Sequence, residues 1–351
     1  MSNKKQTIVF SIAHVYDLIF FYRIVKETNI KKEYYVKVIF FVHTFFNNKM
    51  ELAKSLLSKI SNNITYVDSN QTPYYQKNIF KNIYLGIKLK KLLRKNFLKS
   101  DTVLMLDKTH LHSHIIINFF KNPVLFQIFG ETIDKFSQIR FLKTLVANLI
   151  NFFLNNSPIK IFQLKNTKTV ENYVSNLKHV KVLYINYSSS KNNLKGISFS
   201  RPEITSSNKI VIFGGRYLGW DLQEEQLQKV RKYYLSIYKE FKNKFKFYYI
   251  AHPKEKDEFE ELNKIFENNL NLVENFLNSE HYLVENNDIA YCFSIGSTSS
   301  LSAYKMGFNS KVSYRSIFQD DEIVKGFDSI FEDTDESIHI NNDFSDLRKE
   351  T

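Results

Sequence analysis

Short apolar runs alternate along the chain with longer stretches in which apolar residues recur at helical spacing. The runs are typical of buried strands and the longer stretches of amphipathic helices. In the first half the predicted strands are TIVFSIA, YYVKVIFFVHT, TVLMLD, VLFQIFG, IKIFQL and VKVLYINY. Helical patterns lie between several of them, as in DLIFFYRIVKET and KNIFKNIYLGIKLKKLLRKNF. Buried strands separated by amphipathic helices predict βαβ units and therefore parallel sheets.

The same alternation restarts after a polar stretch that contains Gly and Pro. The second series is KIVIFGG, the helix LQEEQLQKVRKYYLSIYKEF, KFYYIAHP, NLNLVE, IAYCFSIG and KVSYRS. We predict an α/β protein with two doubly wound, Rossmann-like domains, at 1–190 and 209–351, joined by a linker at 191–208. Ligands of such sheets bind beyond the carboxyl ends of the strands, so the site is expected in a cleft between the domains. The polar C-terminal stretch, 331–351, is expected to be partly disordered at its end.

The net charge of +13 leaves three interpretations open. Nucleic acid is one partner that it suits, and an anionic membrane or acidic substrate is another. A coding bias toward Lys is the third. No nucleic-acid-binding motif accompanies the charge, and the aromatic residues fall in core patterns, so we predict no nucleic-acid partner.

Cysteine and hydropathy exclude several classes of protein. Cys292 is the single cysteine and lies in the apolar run IAYCFSIG, which rules out an internal disulfide and a cysteine-based zinc site. His14 and Asp17 interrupt the apolar N-terminal stretch, which we interpret as a buried strand and not a signal peptide. The apolar stretch at 144–156 is too short and too polar to span a membrane. We predict a cytoplasmic protein, with attachment to the inner membrane face left open.

Two predicted strands of the second half end in residues that suit phosphate. Gly214 and Gly215 follow KIVIF and allow a ligand to approach the backbone closely, although they also suit an ordinary turn. His252 follows KFYYIA, and Pro253 holds it extended. A histidine there could donate to a phosphate or protonate a leaving group, whereas a capping histidine before a turn is the plainer alternative.

A third strand, IAYCF, runs through Gly296 into a group of hydroxyl residues and then a helix. Those residues are Ser297, Thr298, Ser299 and Ser300. A helix N-terminus with hydroxyl groups favours an anion, and four hydroxyls exceed what a cap requires. No Gly-Lys-Ser/Thr follows at the spacing of a P-loop. His252 and this group could therefore aim at one phosphate from neighbouring strand ends.

These features resemble the bacterial sialyltransferases of GT-B fold, including the lipooligosaccharide sialyltransferases of glycosyltransferase family 52 and the capsular polysialyltransferases. The resemblance covers mainly residues 209–307 and is closest in IVIFGGRYLGWDLQEEQ and FYYIAHPKE. It implies that His252 contacts or protonates the departing CMP phosphate. It also implies that Ser299 with Ser300, or Ser297 with Thr298, binds that phosphate. No metal and no separate cofactor is implied, because the CMP-sugar is a substrate.

The general base is the point at which this sequence departs from the family, whose acidic motif is commonly Asp/Glu-Asp-Gly. The nearest candidate is VLFQIFGETIDKF, where Glu131 follows a predicted strand and Asp134 comes one turn later. Either carboxylate could take the proton of an acceptor hydroxyl, although a helix N-terminal carboxylate would look the same. Asp221 in GWDLQEE is the alternative in the other domain.

The resemblance implies transfer of sialic acid, or a related nonulosonic acid, from a CMP-sugar donor to a cell-surface glycan acceptor. The acceptor could be lipooligosaccharide or capsule, and it could be lipid-linked. The expected displacement is single, inverting and metal-independent. A transferase that uses CDP-glycerol or CMP-Kdo stays open, as does a non-enzymatic protein that binds membrane surfaces or nucleic acid.

Two further features concern the predicted N-terminal domain. Asp107 and the alternating histidines of DKTHLHSH follow the strand TVLML, and together with His14 they are candidates for acceptor contacts rather than for a metal. The predicted helix near residues 77–99 has Ile79, Phe80, Ile83 and Ile87 on one face and lysines around the rest. This predicts either a solvated face or a peripheral contact with anionic lipid.

Overall fold

This computed structural model describes most of the chain, with gaps. The described residues are 5–42, 49–68, 78–106, 111–128, 154, 181–186, 196–198, 208–215, 217, 222–252, 258–332, 334–340, 344 and 347.

The chain divides into two compact units. The first comprises residues 1–186 and 191–198, and the second comprises 187–190 and 199–351. Each unit is built on its own parallel sheet.

The sheet of the first unit has seven strands in the order β3-β2-β1-β4-β5-β6-β7. Their bounds are β1 (Thr7–Ile12), β2 (Tyr35–Phe41), β3 (Ile64–Val67), β4 (Thr102–Met105), β5 (Asn122–Ile128), β6 (Lys181–Asn186) and β7 (Gly196–Ser198). All the pairings are parallel. The order reverses between β1 and β4, which makes the sheet doubly wound.

Helices cover both faces of this sheet. They are α1 (Val15–Glu27), α2 (Ile30–Glu33), α3 (Met50–Ile60), α4 (Ile79–Asn96) and α5 (Leu111–Phe119). Leu89 and Leu93 of α4 pack with Val9 of β1 in one core cluster. The next residue of β1 serves the other face, where Phe10 stacks on Phe21 of α1 with ring centroids 4.4 Å apart. Both faces are therefore buried, and this explains the continuous apolar runs of the sequence.

The sheet of the second unit has five strands in the order β10-β9-β8-β11-β12, again all parallel. The strands are β8 (Lys209–Phe213), β9 (Lys246–Ile250), β10 (Leu270–Leu272), β11 (Ile289–Ser294) and β12 (Ser310–Val312). The helices are α6 (Glu224–Phe241), α7 (Glu258–Ile265), α8 (Ser279–Glu285), α9 (Thr298–Lys305), α10 (Tyr314–Ile317) and α11 (Asp321–Phe331), with a short 3-10 helix at Glu336–Ile338.

Alternate residues of β8 serve the two faces of this second sheet. Ile210 and Ile212 belong to a core cluster with Val230 of α6. Val211 and Phe213 belong to another cluster, with Tyr282 of α8. Cys292 is buried in that second cluster as a free thiol, and its burial raises its pKa.

Two parts of the chain differ from the sequence-based expectation. The stretch 191–208, predicted as a linker, contains β7, which pairs with β6 at the edge of the first sheet. The C-terminal stretch, predicted to be polar and partly disordered at its end, contributes Ile338, Phe344 and Leu347 to the core of the second unit, and residues 348–351 lie outside the described residues. Isolated apolar residues in a polar stretch carry no periodic pattern, so the sequence could not reveal either feature. None of the described helices is long and apolar enough to cross a membrane.

Candidate functional site

Three strands of the second unit end at the same level of the sheet. Ile250 of β9 pairs with Phe213 of β8. On the other side of β8, Ile212 pairs with Phe293, so Ser294 of β11 lies beside Phe213. Beyond this row the three chains leave the sheet at its carboxyl edge, which is where doubly wound sheets bind ligands.

Two residues beyond that row the chain reaches His252, Gly215 and Gly296. His252 and the serines after Gly296 therefore lie on either side of β8. We had expected them to follow neighbouring strands, and in this respect the structure differs from the prediction. The order of the sheet reverses at β8, so β9 and β11 lie on opposite sides of it. Two strand spacings separate them by roughly 10 Å, with the two glycines that follow β8 between them.

Gly215 is required after β8 because the ring of Tyr217 occupies the space that a side chain at 215 would need. The N–H of Gly214 donates to the carbonyl oxygen of Ile250 at 2.9 Å and extends the pairing with β9. A Cβ on Gly215 would lie 1.9 Å from the ring of Tyr217. Gly214 and Gly215 therefore lie between the two flanking strand ends, and a larger residue at 215 would require Tyr217 to move.

Tyr217 packs against Gly215 and links the ends of β8 and β11. It is 2 % exposed and forms a hydrogen bond with the backbone of Gly296. Burial, and next the negative charge of Glu258, raise the pKa of Tyr217, so its hydroxyl stays neutral. Glu258 is itself buried at the first residue of α7, the helix that follows β9.

The hydroxyl residues after β11 form the N-terminus of α9. Ser297 is the N-cap, and its hydroxyl accepts from the N–H of Ser299 at 3.2 Å. Thr298, the first helical residue, is exposed, and Ser297 and Ser299 are half-buried. The N–H of Ser300 donates to the carbonyl oxygen of Ser297 at 2.9 Å. The helix dipole adds partial positive charge at this end of α9.

Ser300 has a different environment from the three residues before it. It is 0 % exposed, and its hydroxyl lies 2.7 Å from that of Ser294 at the end of β11. The hydroxyl of Ser294 also accepts from the N–H of Ser297 at 3.0 Å. Ser300 therefore fixes the turn between β11 and α9 from inside the unit.

A chain of polar groups continues from Ser299 to a carboxylate. The Ser299 hydroxyl lies 2.8 Å from that of Ser279, which donates to Glu280 at 3.1 Å. Glu280 also bonds with the side chain of Ser302. Its pKa is raised, because desolvation outweighs the hydrogen bonds from Ser302 and Ser279 that oppose the shift.

Hydrogen-bond donors thus follow the two strands that flank β8 and its two glycines. His252, half-buried, follows β9, and the N-terminus of α9 follows β11. The arrangement suits an anion with several oxygen atoms, and a phosphate is the common biological example. The imidazole could also supply a proton near neutral pH.

Glu131, Asp134, Asp107, Asp221 and Pro253 lie outside the described residues. His14 belongs to the first unit, where it follows β1 and caps α1. The backbone N–H of His14 donates to the carboxylate of Asp17 at 3.0 Å.

The histidines of DKTHLHSH do not form a metal site within the described residues. His112 and His114 are buried in α5, and the ring of His112 lies 4.5 Å from that of Phe41. No group of three potential metal ligands occurs in the described part of the chain. Asp107 and His110 lie outside it.

Neither the models of known protein families nor the curated proteins match the sequence significantly. Solved structures do match. The GT-B domain of a sialyltransferase from Photobacterium damselae is 11% identical, with 96% of this chain and 99% of that chain covered and a TM-score of 0.52. A UDP-GlcNAc 2-epimerase from Methanocaldococcus jannaschii is 10% identical, with 98% and 99% covered and a TM-score of 0.51. The fold is GT-B.

A second structure of the Photobacterium sialyltransferase is similar in the same way. It is 12% identical, with 95% of this chain and 81% of that chain covered and a TM-score of 0.51. The GT-B fold predicted from the sequence is thereby confirmed. Within this GT-B protein, the candidate site lies at the carboxyl edge of the second sheet.

Sequence reasoning missed three residues around the site, namely Tyr217, Glu258 and Glu280. Tyr217 follows the glycine pair closely, and that spacing is the one signal that could have pointed to it. Glu258 lies in a charged stretch (KEKDEFEE) whose acidic residues cannot be told apart by pattern, and Glu280 is the one acidic residue of NSEHY, where no motif marks it. Only the packing of α7 and α8 makes them different from their neighbours.

Proposed function

We propose that this GT-B protein is a glycosyltransferase that moves sialic acid, or a related nonulosonic acid, from a CMP-sugar donor to a glycan acceptor. One observation carries the proposal. His252 and the N-terminus of α9 follow the strands on either side of β8, which is itself followed by Gly214 and Gly215, at the carboxyl edge of one sheet. The fold shared with a sialyltransferase supports it.

In the proposed reaction a hydroxyl oxygen of the acceptor attacks the anomeric carbon of the donor sugar. The bond from that carbon to the phosphate oxygen breaks, and CMP departs with the electron pair. A carboxylate takes the proton of the acceptor hydroxyl, and His252 donates its proton to the departing phosphate. The configuration at the anomeric carbon is inverted, because there is one displacement.

The phosphate charge is met in this proposal by hydrogen bonds and the helix dipole. The negative charge that develops on the phosphate is stabilised by the N-terminus of α9 and by the hydroxyl groups of Ser297, Thr298 and Ser299. Ser300 supports them from within the turn through its bond with Ser294. The proposed transfer needs no metal, so its rate should be the same with and without EDTA.

The general base keeps its three candidates. Glu131 is the first choice, Asp134 the second and Asp221 the alternative. Each should be tested as the amide, Glu131→Gln, Asp134→Asn and Asp221→Asn. Loss of the base is expected to slow transfer by about 10²- to 10⁴-fold while CMP binding is kept.

A second candidate function has structural support of the same strength. The match to a UDP-GlcNAc 2-epimerase has a TM-score of 0.51, close to that of the sialyltransferase. A pyrophosphate of a UDP-sugar would suit the same helix N-terminus. The nucleotide that binds therefore decides between the two, and it also tests donors such as CDP-glycerol and CMP-Kdo.

The first experiment is calorimetric titration of the purified protein with CMP, UMP, UDP and CDP. The proposal predicts selective binding of CMP that weakens in Ser299→Ala and does not change in Ser236→Ala, a serine on α6 away from the site. Preference for UDP would replace the proposal by the epimerase-type function, and preference for CDP by a glycerophosphate-type transferase. Absence of nucleotide binding would overturn it.

Transfer activity then tests the role of His252. With CMP-sialic acid and a panel of glycan acceptors, His252→Ala is expected to lose about 10²-fold or more in kcat. Normal transfer by this variant would refute the proposed part of the histidine. A lipooligosaccharide or capsule acceptor, soluble or lipid-linked, would extend the proposal to a cell-surface glycan.

A further inference from the structure

One face of α4 in the first unit carries large apolar side chains that are exposed. Phe80 is 84% exposed, Tyr84 57% and Ile87 45%. Their spacing along the helix places all three on one side. The sequence pattern had placed Phe80 and Ile87 on the same face as Ile83, which is half-buried.

The opposite side of α4 is the one that packs on the sheet. Its buried residues are Asn82, Leu85, Gly86, Leu89 and Leu93. Gly86 lies close to Leu154, since an added Cβ would meet that side chain at 2.5 Å. The core-facing stripe is therefore complete without the three exposed residues.

Basic side chains continue the exposed face toward the end of the helix. Lys88, Lys91, Arg94 and Lys95 are exposed on the same side as the apolar residues. The ammonium group of Lys88 lies over the ring of Tyr84, 4.6 Å from its centroid. Within the part of the chain that the structure describes, no carboxylate forms an ion pair with these four residues.

The segment that contains α4, residues 69–100, accounts for most of the net charge of the chain. Residues 69–100 contain eight Lys and Arg and neither Asp nor Glu. The rest of the chain then holds 41 of the 49 basic residues against 36 acidic ones, a modest excess. A general bias toward lysine would not concentrate the excess in one segment.

The apolar end of α4 lies toward the carboxyl edge of the first sheet. The strands before and after the helix, β3 and β4, both run parallel to their neighbours in the sheet. The helix must therefore return from the carboxyl edge, where it begins near Phe80, to the amino edge. The carboxyl edge is the one at which doubly wound sheets bind ligands.

We propose that this face of α4 docks on an anionic lipid bilayer. Phe80, Tyr84 and Ile87 would enter the boundary between headgroups and acyl chains, and the basic residues would contact lipid phosphates. The charge of the face favours lipid over a second copy of the chain, which would carry the same charge. The large apolar side chains favour lipid over nucleic acid. This proposal does not depend on the function proposed above.

The test is sedimentation of the full chain with vesicles of phosphatidylcholine alone or with added phosphatidylglycerol. We expect binding that requires phosphatidylglycerol and weakens as salt is raised. The variant Lys88→Glu/Lys91→Glu/Lys95→Glu should lose about 100-fold or more in partition. A matched control, Lys232→Glu/Lys239→Glu/Lys244→Glu, reverses three exposed lysines of the second unit and should bind like the wild type apart from a small effect of net charge.

The apolar residues need a separate variant. Phe80→Ser/Ile87→Ser should lose about tenfold or more in partition even at low salt. The control Leu235→Ser/Leu272→Ser removes two exposed leucines elsewhere and should keep full binding. Urea unfolding of each variant should match the wild type, because every changed side chain is exposed.

Insertion can be observed directly through a tryptophan. Trp220 is the single tryptophan, so Phe80→Trp in a Trp220→Phe background gives one reporter on the face. Its emission should shift to the blue and be quenched by brominated acyl chains. Equal binding to neutral vesicles, or binding unchanged in both the lysine and the apolar variants, would overturn the proposal. So would a dimer that Phe80→Ser/Ile87→Ser dissociates, or preferential binding of nucleic acid.

Discussion

Ser299 and Ser300, two adjacent serines at the start of α9, point in different directions. Successive residues of a helix point about 100° apart, so Ser299 remains half-exposed while Ser300 is completely buried. The Ser299 hydroxyl bonds with Ser279, and the Ser300 hydroxyl bonds with Ser294. Their effects on binding and on stability should therefore separate.

We predict that Ser300→Ala destabilises the protein by about 1 kcal/mol, because it removes a buried hydrogen bond. Ser299→Ala should change the free energy of unfolding by less and weaken CMP binding more. Urea unfolding and calorimetric titration on the two variants give both numbers. Equal losses of stability and affinity in the two variants would contradict the division of roles.

The raised pKa of Glu280 makes a pH-dependent prediction. Desolvation lets the folded chain hold the carboxyl proton to higher pH than the unfolded chain does. The stability of the wild type therefore falls as pH rises from the ordinary glutamate pKa through the raised value in the folded state. Glu280→Gln cannot ionise and keeps an oxygen that accepts hydrogen bonds.

The free energy of unfolding of Glu280→Gln minus that of the wild type should thus increase with pH over that window and level off above it. Urea unfolding in a series of buffers that starts at about pH 4, near the ordinary glutamate pKa, and continues upward measures the difference. A difference that is constant, or that shrinks as pH rises, would show that Glu280 is stabilised as the carboxylate.

At the scale of elements, the central strands of each sheet and the edge strands β10 and β12 could be predicted, whereas the edge strands β3 and β7 could not. The strands β1, β2, β8 and β11 are long apolar runs buried on both sides, and hydrophobicity alone marks them. By contrast β3 and β7 are edge elements of four and three residues. Polar residues surround both of them, so no apolar run marked them, and pairing with a neighbour decides their conformation.

The face of α4 shows a second limit of pattern reasoning. Asn82 is completely buried and Phe80 is largely exposed, although polarity predicts the reverse. The periodicity predicted the helix itself but not its rotation about its axis. The candidate site shows a related limit. The sequence predicted that His252 and the serines follow strands, but only the strand order shows that β8 lies between those two strands.

The contact between α11 and the turn after β11 allows a matched pair of glycine substitutions. A Cβ on Gly296 would lie 2.6 Å from the ring of Phe327, which belongs to α11. A Cβ on Gly326, the residue before Phe327, would meet nothing within 4 Å. The same methyl group is thus added once inside the contact, at Gly296, and once beside it in open space, at Gly326.

Gly296→Ala should destabilise the protein by about 1–3 kcal/mol through overpacking. Gly326→Ala should stabilise it by about 0.5–1 kcal/mol, because alanine favours the helix and restricts the unfolded chain. Chemical denaturation measures both. If Gly296→Ala proved neutral, Phe327 would be free to move, and the turn that holds the α9 N-terminus would be looser than its packing indicates.

At the scale of the whole molecule, each unit has a hydrophobic core of its own. Leu89 is completely buried in the core of the first unit, and Phe266 is completely buried in that of the second. Two separate cores predict two cooperative transitions on heating. Leu89→Ala and Phe266→Ala, each expected to cost about 2–5 kcal/mol, should lower one transition apiece and so assign them.

CMP should then raise the transition that Phe266→Ala lowers, because the proposed phosphate site lies in the second unit. At a hundred times its Kd, CMP would stabilise that unit by about 2.7 kcal/mol. Differential scanning calorimetry with and without CMP measures the shift, and Ser299→Ala at the same CMP concentration should reduce it. A shift confined to the transition that Leu89→Ala lowers would place the nucleotide in the first unit and remove the basis for the roles proposed for His252 and α9.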